Sequence, residues 1–294
     1  FVPRANYTLQ KVWGSAPNDV WTVGSGGTVR RFNGDSWSSV SSGTTNSLQD
    51  VWGFNSTNVF AVGASGTFQK FDGQTWSAVP YAVTPGPTNT LNSVWGSSAS
   101  SVWATGTTGL TVLYNGTNLS VNNAAGTLTN GSFNGVHGTN SSTVFSVGIY
   151  SLCPPAGTIN CNMFRYNGGS WGSNTFAGGA GTNSLLAVWG YSTPTTRFWA
   201  VGYSGAIALY DAGTWTTHAQ SGVVTTAFLY DVWGTSANNI FAVGSAPAII
   251  RYDGATWTNM DPGMRSYALY GVWTGATNDA WAVGSSGVLL RYMP

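Results

Sequence analysis

Few side chains in this sequence can do chemistry, and their types restrict what that chemistry is. The nine acidic residues are all aspartate; there is no glutamate. Glycoside hydrolysis usually needs two carboxyls flanking the scissile bond, but most aspartates here stand in repeated turn positions, as Asp19, Asp72, Asp253 and Asp279 do. His137 and His218 are the only histidines, far apart and without an adjoining acidic cluster, so neither reads as a general base or metal ligand. No nucleophile elbow, phosphate-binding glycine loop or zinc-protease helix motif occurs. Cys153 and Cys161 are the only cysteines, in CPPAGTINC. Two sulfurs without a nearby histidine do not make a zinc site. The short loop between them, with two prolines and a glycine, suits a disulfide that would contribute about 2–3 kcal/mol by restricting the unfolded chain; free thiols are the alternative. The expectation is a protein that binds rather than catalyses, with no cofactor and no metal.

The elements that would position any binding residue follow from a repeat. The stretch Leu9 to Gly14, of the form L-x-x-V-W-G, returns at Leu48, Leu91, Leu229 and, ending in Thr274, at Leu269. It returns loosely at Phe133, where His137 replaces the tryptophan, and at Leu185. From Val12 through Val51, Val94, Val136, Val188, Val232 and Val272 the steps are 39, 43, 42, 52, 44 and 40 residues. A period near 40 that fills a chain marks a repeat architecture. Within a unit the first stretch reads as a buried strand and V-W-T-V-G at 20–24 as a second. A Gly-rich turn then leads to an alternating third strand, and Asn33-Gly34 leads to a fourth that begins near Trp37. Seven such units predict an all-β, seven-bladed β-propeller, residues 1–294 as one domain, with four antiparallel strands per blade. Open stacking is the runner-up, but it would need polar capping repeats. The last unit stops after three strands, and Phe1 stands as far before Val12 as Val40 does before Val51. Residues 1–4 are therefore expected to supply the outer strand of blade 7 and close the ring. Blade 4 carries an insertion at 149–163.

Composition excludes several partners. Charged residues are 6% of the chain and the net charge is +1, so there is no electrostatic footprint for nucleic acid or an anionic membrane. No apolar run is long enough to span a bilayer. Low charge, a hydroxyl-rich surface and the cysteine pair point to a secreted or cell-surface location.

The units resemble the secreted bacterial propeller repeats of the form VWG…VWAVG…YDGxxW. More distantly they are similar to kelch repeats, to the Asp-box repeats of sialidase-like proteins and to the photosystem II assembly-factor propeller. Glycine directly after the Asp or Asn departs from the Asp-box pattern. The resemblance implies the fold; propellers of this kind include lectins, adhesins, scaffolds and enzymes. A sialidase-like site would need a glutamate, which is absent.

Trp13, Trp52, Trp95, Trp189, Trp233 and Trp273 recur at one position, as packing between blades demands; a ring of sugar-stacking platforms is the functional alternative. Arg31, Lys70, Arg165, Arg251 and Arg291 precede the third-strand aromatic. They are expected to stack on a tryptophan of the neighbouring blade or to pair with an aspartate such as Asp50 or Asp231. By resemblance to propeller lectins, an Arg–Trp–Asp pocket between blades could hold a sugar. Connections between blades are long and varied, and variable loops on a rigid scaffold are where binding residues tend to sit. Tyr81, Tyr150, Tyr203, His218 and Arg265 are the candidates there. The expected partner is a glycan or cell-surface component. The alternative is another extracellular protein, with the chain as a structural subunit or scaffold that could self-associate; a hydrolase is the third possibility.

Overall fold

A computed structural model describes residues 6–122, 131–150, 163–174, 184–193, 195–260, 263, 267–276 and 279–293, with the side chains of Tyr150 and Ala276 excepted. It is a seven-bladed β-propeller, all-β apart from single 3-10 turns. Six blades have four antiparallel strands in sequence order; blade 7 has three among the described residues. The first strand of each blade is the innermost. These strands are Leu9–Ala16, Leu48–Asn55, Leu91–Ser98, Gly131–Asn140, Leu185–Tyr191, Leu229–Ser236 and Leu269–Ala276, and each packs beside the next around the axis. The strand Leu269–Ala276 lies against both Leu229–Ser236 and Leu9–Ala16, so the ring is closed at its inner edge.

The L-x-x-V-W-G repeat is a packing device. Tryptophan of one blade lies over glycine of the next, in space that a side chain would otherwise fill. A Cβ on Gly53 would come 2.8 Å from the Trp13 ring, one on Gly138 2.6 Å from Trp95, one on Gly234 2.8 Å from Trp189, and one on Gly14 2.7 Å from Trp273. The last pair joins blade 7 to blade 1 with the same geometry as the others. Trp13, Trp95, Trp189 and Trp273 are all buried, which makes interblade packing the role of these rings.

A second aromatic layer lies further out. The second-strand ring of one blade meets the fourth-strand tryptophan of the next edge-on. Trp21–Trp76, Trp103–Trp171, Phe145–Trp215, Trp199–Trp257 and Trp281–Trp37 have centroids 5.3–5.6 Å apart and planes 81–88° apart. Such pairs contribute roughly 0.5–1.5 kcal/mol each beyond the area they bury. Across the sheet, each fourth-strand residue faces the third-strand aromatic, as Trp37 faces Phe32 and Trp257 faces Tyr252. In blade 7 Tyr292 lines an apolar cavity of about 420 Å³ together with Phe241, Trp281 and Leu290. The outer strand expected from residues 1–4 lies outside the described residues, apart from which the described chain begins at Asn6.

The basic third-strand residues do stack on aromatic rings, but their acidic partners differ from those expected. Arg31 lies 4.7 Å from the Trp21 ring of its own blade and 5.9 Å from Phe71 of the next, and it bonds Asp19 at 2.7 Å. Arg291 does the same over Trp281 and Phe32, with both Asp279 oxygens at 2.8 and 3.0 Å. Asp19 and Asp279 open the second strands, and Asp50 and Asp231 are not the partners: they sit on inner strands, where Asp50 bonds Ser93 and Val94 and Asp231 pairs with Lys11. Asp72 and Asp253 do occupy turns. Each accepts two backbone N–H groups at 2.8–2.9 Å, which lowers its pKa.

Candidate functional site: the mouth of the central channel

Inner strands start beside the turn between second and third strands: Leu9 pairs with Gly24, and Ser25 N–H bonds the Thr8 carbonyl at 3.0 Å. The L-x-x end of the motif therefore lies at the face that carries the interblade connections, and the W-G end lies deeper. In all seven blades the pairing register skips the second motif residue, as between Leu9 and Lys11 or between Leu229 and Asp231. A bulge of this kind re-aims side chains. Here it turns the residues at positions two and three of the motif to the lumen.

The result is a cavity of about 230 Å³ on the axis. Its outer ring is divided in two. Blades 1–4 contribute amides, Gln10, Gln49, Asn92 and Asn134; blades 5–7 contribute Leu186, Tyr230 and Tyr270. The two tyrosine rings lie 5.2 Å apart. Beside them Tyr203 stacks on Phe228 at 4.6 Å and 27°, and Phe228 is 42% exposed. Burial and the neighbouring Tyr270 and Tyr203 hydroxyls raise the pKa of Tyr230. Asn92 and Asn134 spend their NH₂ groups on the backbone carbonyls of Phe133 and Leu185. The side-chain amides of Gln10 and Gln49, which line the cavity, make no hydrogen bond among the described residues.

The next ring down is ionic. Lys11 Nζ donates to Asp231 Oδ1 at 2.6 Å. Asp231 also accepts Val232 N–H at 2.9 Å and, across to blade 7, Val272 N–H at 2.8 Å. Asp50 makes the same bridge from blade 2 to blade 3, accepting Val51 N–H, Val94 N–H and the Ser93 hydroxyl, each at 2.8 Å. These carboxylates thus fasten neighbouring inner strands where the motif supplies an acceptor. Where it supplies glycine, the backbones come closer: a Cβ on Gly271 would lie 2.8 Å from Lys11 Cα. Burial raises the pKa of both Asp50 and Asp231, opposed by Lys11 and by the donated hydrogen bonds. Burial pulls Lys11 down, but the fields of Asp231 and Asp50 outweigh it, and its pKa is raised.

His137 and Trp233, where the motif fails, are part of the cavity lining. After Trp233 the next blade has the buried Thr274 where the motif has glycine. Trp233 instead reaches His137 of a non-adjacent blade, edge-on at 5.8 Å. His137 is 8% exposed, and burial, with the charge of Lys11, lowers its pKa to about 3. It is a neutral ring in a tryptophan's place.

Of the residues nominated from sequence, Tyr203 stands beside this mouth. Tyr81 and His218 do not line it. Tyr81 is half-buried and donates its hydroxyl to the Gly66 carbonyl at 2.9 Å, and burial pushes its pKa up to about 12. His218 packs 5.2 Å from Trp199 and edge-on to Tyr252 between blades 5 and 6, where burial lowers its pKa. Tyr150 ends the strand Thr143–Tyr150; its side chain, Arg265, Cys153 and Cys161 lie outside the described residues. Sequence reasoning missed the two x positions of L-x-x-V-W-G. Their signal was chemical variety between fixed neighbours.

Fold and site define a seven-bladed propeller with a polar cavity on its axis, whose mouth is amide on one side and tyrosine and leucine on the other. No protein-family model and no curated protein matches the chain. Among solved structures it is similar to YCF48 bound to D1 peptide, at 18% identity and TM-score 0.71, covering 100% of this chain and 93% of that one. It is also similar to YCF48 from Cyanidioschyzon merolae, at 16% identity and TM-score 0.72, covering 100% and 98%. At such identities the likeness is one of fold.

Proposed function

We propose that this propeller is a non-catalytic binding module that holds a polypeptide segment at the channel mouth. The observation that carries this is the divided ring: Tyr230, Tyr270 and Leu186 offer apolar faces to side chains, and Gln10 and Gln49 offer unspent amides to a backbone. Aromatic rings with few rotatable bonds and adaptable polar groups are a common basis for recognition. A propeller of the same fold solved with a peptide, YCF48, supports the reading. A glycan is the second reading, favoured by the Tyr203–Phe228 stack beside the amides. An extracytoplasmic site of action accords with the 6% charged composition and the cysteine pair. Peptide and glycan arrays probed with the protein and with its Tyr230→Ala/Tyr270→Ala variant test both readings. Peptide spots that the variant loses are expected; glycan spots lost in the same way would move the assignment to the second reading. Binding that the variant retains would remove the mouth as the site.

A further inference from the structure

We propose that the cavity beneath the mouth takes the cationic end of a basic side chain, an alkylammonium or guanidinium, carried by the bound polypeptide. This rests on the reading that a polypeptide binds at the mouth. The first argument is a count of charge. Ser93 Oγ accepts Val136 N–H at 3.1 Å and donates its proton to Asp50 Oδ2 at 2.8 Å. Asp50 therefore receives three donated hydrogen bonds, the pattern of a carboxylate. Asp231 is ionised beside Lys11. Two carboxylates share one ammonium and His137 is neutral, which leaves one negative charge in excess inside the ring. Lys11 is held to Asp231 at 2.6 Å, so the excess lies toward Asp50. A buried charge without a counter-ion is costly, and an entering cation relieves that cost.

His137 points to a ligand independently. Its Nδ1 is buried with no hydrogen-bond partner among the described residues, and the ring lines the cavity. A neutral imidazole carries one acceptor nitrogen, and no hydrogen bond to this ring is made among the described residues. Tyr230 and Tyr270 sit where the stem of such a side chain would pass, and aromatic faces attract cations. The Gln10 and Gln49 amide oxygens complete the set of acceptors. At about 230 Å³ the space equals several waters of about 30 Å³ each, enough for one extended basic side chain.

The test is a titration of the protein, followed by NMR or calorimetry, with N-acetyl-arginine amide, N-acetyl-lysine amide and the uncharged isostere N-acetyl-citrulline amide. At least one cationic probe is expected to bind at least about tenfold more tightly than citrulline. Asp50→Asn is expected to abolish that preference, and Lys11→Met to increase it. Citrulline bound as tightly as the better of the two cationic probes, or no cationic probe bound, overturns the proposal. The comparison of probes on the unmodified protein stands even where a variant fails to fold. Array peptides without Lys or Arg that need Tyr230 and Tyr270 would leave the binding module intact and remove only its preference for a cation.

Discussion

Replacing Gly14 with alanine tests the interlocking of the ring at the junction of blades 7 and 1. The added Cβ would stand 2.7 Å from Trp273 Cη2 and 2.9 Å from Cζ2 and Cζ3. Carbon atoms prefer about 3.5–4.0 Å, so the indole would have to retreat by about 1 Å. It has no room to do so: Trp273 is 4% exposed, and the backbone of its own strand is held against Lys11 through Gly271. Overpacking of this kind costs about 1–3 kcal/mol. In a domain of this size each kcal/mol lowers the melting temperature by about 2–4 °C, so a loss of several degrees is expected by calorimetry. Gly172→Ala is the control, because nothing lies within 4 Å of a Cβ there and the backbone is not left-handed. It should melt like the parent. Equal melting of Gly14→Ala and Gly172→Ala would refute the account of the repeat and, with it, the closure of the ring.

Other expectations follow from the channel. Tyr230→Ala and Tyr270→Ala should abolish ligand binding while thermal melting shifts little, since both rings stand at the mouth. Lys11→Met leaves Asp231 buried without its ammonium and should cost about 3–5 kcal/mol by urea denaturation at neutral pH. Asp231 already has a raised pKa through burial, and losing Lys11 raises it further. A group whose folded pKa is raised gives stability that is present below its unfolded value and lost as pH rises through the folded one. The deficit of the variant should therefore shrink toward pH 4; a deficit independent of pH would contradict the assignment. Residues 1–4 are proposed to complete blade 7, which has three strands among the described residues. Removing residues 1–5 should lower the melting temperature by several degrees, and an unchanged transition would exclude that role.

Most of the fold was legible because propeller packing repeats. Leu9, Val12, Trp13 and Gly14 recur as a motif, and the tryptophan–glycine contact returns at four junctions, Trp13–Gly53, Trp95–Gly138, Trp189–Gly234 and Trp273–Gly14. The site was not legible for a related reason. Read as an alternating strand, Gln10 and Lys11 belong to opposite faces, yet the bulge between Leu9 and Lys11 turns both toward the lumen. A one-residue change of register redirects side chains and leaves no mark in the hydrophobic pattern. Asp50 and Asp231 were assigned to arginines for the same reason, although Arg31 and Arg291 find Asp19 and Asp279 in their own blades. Tyr81, nominated as a binding residue in a variable loop, spends its hydroxyl on Gly66. The departures from the motif, His137 and Thr274, were visible; that His137 meets Trp233 required knowing which blades face one another across the axis.

The most direct test of the channel mouth as the binding site is photo-crosslinking from a benzophenone side chain placed at Gln10, with the same group at Thr258 on the outer strand of blade 6 as comparison. Array-selected peptide should crosslink from position 10 and not from position 258. Crosslinking from position 258 alone would place the ligand on the rim of the propeller and contradict the account.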